Sequence, residues 1–86
     1  MTQQWTKAGI RAALVEVFSL VLDMPEAEVA DELSPDSCRN WDSLRHIQLC
    51  TAIDETFGLS LDVAKQVEIL TFDLAVETVA EELGVG

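Results

Sequence analysis

Apolar residues in this chain recur at helical spacing, and nowhere do they alternate convincingly in the way a strand requires. That property points away from a sheet and toward packed helices, whose bounds are set by where the breakers fall. From Lys7 to Leu22, the residues Ile10, Leu14, Val17 and Val21 share one side of a helix, with Lys7, Arg11 and Glu16 on other faces. Pro25 halts it. Between Asp23 and Asn40, Pro35 and scattered Asp, Ser and Asn residues describe a long loop, which Val29 and Leu33 pin to the core.

Asp42 is a helix N-cap, because its carboxylate can accept from the free N–H groups of a first turn. The helix it starts is predicted from Ser43 to Phe57, with Ile47, Leu49, Cys50, Ile53 and Phe57 in one core-facing arc. Arg45, Gln48, Ala52 and Glu55 fall on the opposite, presented face. Gly58 ends the helix where a left-handed residue is wanted. Leu59, Leu61, Val63, Val67, Ile69 and Leu70 fit a short, weakly patterned helical segment between Asp62 and Leu70. A last helix spans Phe72 to Leu83, lined by Leu74, Ala75, Val76, Val79 and Leu83 and stopped by Gly84. Glu77, Glu81 and Glu82 form its solvated face.

A chain of 86 residues, 49% hydrophobic, supports one modest core, so residues 1–86 are expected to form a single, monomeric, free-standing domain bracketed by Met1 and Gly86. Sixteen acidic against five basic residues give a net charge of -11, which repels nucleic-acid phosphates and anionic membranes and favours partners with basic patches. No apolar run is long enough to span a bilayer, and Met1 to Lys7 lacks the layout of a secretory signal, so a cytoplasmic location is expected. Cys38 and Cys50, with the lone His46, have no metal-ligand spacing, and free thiols are predicted.

The most informative stretch is Asn40-Trp41-Asp42-Ser43-Leu44, a loop delivering a serine to the first position of a helix behind an Asp cap. The serine hydroxyl is then exposed at the positive end of a helix dipole, where a phosphodiester on its oxygen is favoured. Trp41 is expected to pack on the second helix against His46 or Ile47 and to hold the loop's exit angle. Trp5 is expected to pack at a helix end.

In these residues the chain resembles the acyl carrier protein family, whose signature Asp-Ser-Leu is matched by Asp42, Ser43 and Leu44. The likeness covers nearly the whole chain. Phe57-Gly58 and Ile69-Leu70-Thr71 look like the family's equivalents at the end of the second helix and before the fourth. The resemblance implies an all-α four-helix bundle with a long first loop and a short third helix. It implies a carrier without catalysis of its own. A phosphopantetheinyl transferase would attach 4'-phosphopantetheine from coenzyme A to Ser43, reading Asp42 and Leu44. Acyl groups would ride on the arm's thiol as thioesters, and Ile47, Cys50, Ile53, Val67 and Leu70 would line a pocket for them. Loading and processing enzymes such as an acyltransferase or ketosynthase would be met by the exposed face of the second helix.

Many fatty-acid carriers place acidic residues just after the signature serine, where this chain has Arg45, His46 and Gln48, with acids only at Asp54 and Glu55. Recognition by the ordinary fatty-acid enzymes is therefore not expected, and Asn40-Trp41-Asp42-Ser43-Leu44 looks more like the discrete carriers of polyketide and other specialised pathways than like the primary fatty-acid carrier. Arg45 at a helix N-terminus opposes the dipole, so helix stability does not explain it; with Arg39 it makes a basic flank around Ser43 that serves partner choice or screens the arm's phosphate, the alternative being two solvated arginines without a role. His46 is expected to cap the core near the arm. Three alternatives stand beside this reading: an aminoacyl or peptidyl carrier, a non-carrier acidic interaction domain, and an esterase with His46 as base for Ser43.

Overall fold

The computed structural model describes residues 5–85, so expectations about Met1 and Gly86 lie outside the described residues. Among these residues the fold is all-helical, with helices α1 (Lys7–Leu22), α2 (Ser43–Phe57), α3 (Val63–Glu68) and α4 (Phe72–Leu83). A single 3-10 turn, Glu26–Glu28, interrupts the loop between α1 and α2.

Each boundary has a local cause. Thr6 caps α1, its hydroxyl oxygen accepting from the Gly9 amide at 3.0 Å. At the other end Asp23 adopts a left-handed φ of 53°, and its N–H bonds the Ser19 carbonyl. The Ser19 hydroxyl in turn donates to the Met24 carbonyl at 2.6 Å, fixing how the loop departs. Gly58 closes α2 with φ 67°, a region that a side chain resists.

The core is built from Ile10, Leu14, Val17, Phe18 and Leu22 of α1, Leu49, Cys50, Ile53 and Phe57 of α2, and Phe72, Ala75, Val76 and Val79 of α4. Phe18 lies at its centre, edge-on to Trp41 at 5.3 Å and to Phe72 at 5.0 Å between ring centroids, the geometry aromatic quadrupoles prefer. Trp5 packs on Phe57 at 4.7 Å, as a helix-end residue should.

The loop is part of this structure. Val29 and Leu33 are buried, as their pattern predicted. Its carbonyls also meet the orphan amides of α4: Phe72 N–H donates to Leu33 and Asp73 N–H to Asp31, both at 3.0 Å. Thr71 takes a third, from Leu74, at 3.1 Å. No helix among the described residues is long and apolar enough to cross a membrane.

Several side-chain placements differ from the sequence reading, among them Arg45 and Ala52 of the presented face of α2, which are half-buried, Ala52 against the core. Ile47 is 61% exposed, because the buried arc of α2 centres on Leu49, Cys50, Ile53 and Phe57, and Ile47 lies roughly 100° round from it. In α1, Phe18 and Leu22 take the core positions, and Val21 is only half-buried. Leu74 is 40% exposed, while Thr78 and Ala80 of α4 are buried. Glu77 is not merely solvated: it pairs with Lys7, which raises the lysine's pKa through that hydrogen bond and charge.

Candidate functional site

Asp42 caps α2 as expected, its Oδ1 accepting from the Arg45 amide at 2.8 Å, and its backbone carbonyl takes the His46 amide at 2.9 Å. Ser43 is thereby fixed as the first helical residue, with its side chain exposed. Its hydroxyl has no hydrogen-bond partner among the described residues, and the amides of Ser43 and Leu44 have no acceptor there. These groups stand at the positive end of a four-turn helix, where an ester of phosphate on the serine oxygen gains electrostatically.

Beside Ser43 opens a groove of about 620 Å³, lined by Pro35, Trp41, Asp42, Ser43, His46, Ile47, Val67, Ile69 and Leu70. Its lining is predominantly apolar, and Ile47, Val67 and Leu70 are 61%, 60% and 59% exposed along it. The five residues proposed as an acyl pocket are thus divided. Ile47, Val67 and Leu70 line the groove, whereas Cys50 and Ile53 are sealed in the core and do not reach it. The cause is the helix rotation that brings Ile47 out: Cys50 and Ile53 lie on the face turned to α1.

Trp41 is 2% exposed and forms the groove's floor with His46. The two rings are nearly parallel, at 16°. The indole Nε1–H donates to His46 Nδ1 at 3.0 Å, and His46 Nε2 lies 2.8 Å from the Gln66 carbonyl oxygen. An indole nitrogen only donates and a carbonyl only accepts, so Nδ1 accepts and Nε2 carries the hydrogen. Both ring nitrogens are committed, and neither bonds the Ser43 hydroxyl.

Arg45 is half-buried, and its guanidinium donates to the carbonyl of Val21 at the end of α1. The basic flank read from the sequence is therefore divided. Arg45 satisfies an orphan carbonyl at the negative end of another helix, which offsets its unfavourable place at the start of its own. Arg39 lines a separate hollow of about 680 Å³ between the loop and the end of α1, together with Cys38 and Asn40. The Asn40 amide reinforces the same junction, donating to the Leu22 carbonyl at 2.7 Å. Gln48 and Glu55 are exposed on the outer face of α2, where the sequence put them.

Cys38 and Cys50 are both free thiols. Burial, with a smaller contribution from the Asp54 charge, pushes the Cys50 thiol up to about 11. Among the described residues no group of metal-ligating side chains comes together. Sequence reasoning missed Pro35 and Ile69 in the groove lining, although Ile69 stands in the Ile-Leu-Thr run it had singled out.

In comparisons with known proteins, no family model matches this chain and no curated protein matches it.

Proposed function

We propose that this chain is a carrier protein that holds an acyl or related intermediate as a thioester on 4'-phosphopantetheine attached to Ser43. The observation that carries the proposal is the juxtaposition of an exposed, unengaged serine hydroxyl at a capped helix start with an apolar groove opening beside it. The resemblance of Asp42, Ser43 and Leu44 to the acyl carrier signature supports the same conclusion.

The residues present fit the group. Attachment needs an accessible hydroxyl and surroundings that tolerate a phosphodiester's negative charge, and the unpaired amides at the start of α2 supply the second. When bound, the arm supplies a thiol on which acyl groups are carried. Ser43 anchors it, Asp42 and Leu44 mark the site for the transferase, and the apolar wall of Ile47, Val67 and Leu70 shelters a carried chain from water. Both nitrogens of His46 are engaged with Trp41 and Gln66 and neither bonds Ser43, which favours a carrier over an esterase with His46 as its base.

Within this reading the partners are a phosphopantetheinyl transferase and acyl-loading or acyl-processing enzymes, such as an acyltransferase or ketosynthase of a polyketide or fatty-acid-like pathway, in the cytoplasm. One feature favours a second reading, a non-carrier interaction domain. Leu44, Ile47, Val63, Val67 and Leu70 are all exposed, and such apolar surface also suits protein docking.

Intact mass after incubation with coenzyme A and a broad-specificity transferase separates the two. The carrier gains one phosphopantetheine group, and Ser43→Ala gains none. An unmodified wild-type chain, folded by circular dichroism, would leave only the interaction domain.

A further inference from the structure

We propose that His46 is a positioning residue that holds the groove beside Ser43 at its width by tying the end of α3 to α2 and to Trp41. Its purpose, control of how a carried group is shielded, rests on the carrier reading; its geometry does not.

Helix α3 buries no side chain of its own along its six residues, so its hold on the molecule comes from its flanks and its polar bonds. Leu61 and Ile69 bracket it in the core. At its start, the Leu61 amide donates to Asp54 Oδ1 at 3.0 Å and Asp62 caps Lys65 at 2.9 Å. At its end, the Gln66 carbonyl receives the Ile69 amide at 3.3 Å and His46 Nε2 at 2.8 Å. The histidine bond is the shorter, and it crosses from α2.

His46 is itself held from behind. Trp41 donates to it and is packed edge-on against Phe18, so a directional chain runs from the core through indole and imidazole to the end of α3. One groove wall, Val67, Ile69 and Leu70, follows directly on Gln66, and Ile47 of the other wall follows directly on His46. The distance across this bond therefore sets the distance between the walls. Without it Val67 and Leu70, which flank the core-anchored Ile69, gain freedom to move outward, and water reaches more of whatever lies in the groove. Local openings of this kind are governed by the few bonds that hold the element.

Three variants dissect the chain. His46→Asn keeps an acceptor for Trp41, His46→Gln keeps a donor for Gln66, and His46→Ala keeps neither. In the unmodified protein, amide exchange at Ile69 and Leu70 is expected to accelerate in His46→Ala by about 2- to 10-fold, the range set by one hydrogen bond's net contribution. The two partial variants fall between, and amides of α1 stay unchanged. Nitrogen NMR of the wild type should show the neutral tautomer with hydrogen on Nε2. Unaltered exchange at Ile69 and Leu70, or equal acceleration across the whole chain, overturns the proposal.

The link to cargo is tested with an octanoyl arm transferred from octanoyl-coenzyme A. Thioester hydrolysis should quicken in His46→Ala by a similar factor, and an unchanged lifetime overturns the shielding role. Failure of transfer to Ser43 in wild type would count against the carrier reading, while exchange in the unmodified protein still decides His46.

Discussion

Replacing Arg45 with methionine separates a structural from a recognition role for this side chain. The variant keeps most of the aliphatic stem and removes the guanidinium that bonds the Val21 carbonyl. A hydrogen bond from a charged donor contributes roughly 1.5–3 kcal/mol, and the half-buried setting favours the lower end. Two dipole effects of roughly 0.3–1 kcal/mol each oppose one another: the charge helps the end of α1 and hurts the start of α2. They cancel to first order, which leaves a loss of about 1–2 kcal/mol. For a domain of this size that lowers Tm by roughly 4–16 °C. Urea unfolding followed by circular dichroism measures it. Arg45→Lys should recover part of the loss, since an ammonium donates but lacks the planar fork. If Arg45→Met stays within about 0.3 kcal/mol of wild type while rates with partner enzymes change, the capping role is refuted. Partner choice would then account for Arg45.

Asp42→Ala removes the cap of α2 and should cost about 1 kcal/mol in urea unfolding, with faster amide exchange in the first turn around Arg45; an unchanged stability would mean the cap bond contributes nothing. Cys50 predicts an alkaline effect: its folded pKa is raised from 9.0 to about 11, so the folded state binds the thiol proton more tightly than the unfolded chain. Its contribution is complete below pH 9 and is lost as pH rises toward 11, by up to about 3 kcal/mol. The difference in stability between wild type and Cys50→Ala should shrink across that interval, and parallel pH profiles would contradict it.

Most of the backbone was legible because its signals are local. Pro25, Asp42, Gly58 and Gly84 act on the residues beside them, and they mark the end of α1, both ends of α2 and the end of α4, whereas the caps Thr6 and Thr71 at the other two starts went unread. The third helix was harder, since its apolar residues at the flanks, Leu61 and Ile69, are the buried ones while Val63 and Val67 are exposed. No helical periodicity describes an element whose buried apolar anchors lie at its two flanks and not along one face. The place of Ser43 at the helix start was legible for the same reason as its cap. The groove was only partly so, because Ile47 lies at the edge of the helical arc, and a wheel without a partner helix does not show where that edge meets solvent.

Arg45 and His46 illustrate what sequence patterns omit. Each is explained by a backbone carbonyl far along the chain, Val21 for one and Gln66 for the other, and no side-chain pairing rule reveals a carbonyl. Together with Asn40 on the Leu22 carbonyl, these bonds attach the residues flanking Ser43 to the end of α1 on one side and of α3 on the other. The serine thus sits on a helix start that is braced, next to a wall that Ile69 anchors in the core and one histidine ties across the groove. Under the carrier proposal that asymmetry has a use: the attachment point would stay fixed for enzymes to find it, whereas the shelter beside it would open for cargo to leave. A braced anchor, and a wall with one polar bond across the groove, would serve both needs with the same short stretch of chain.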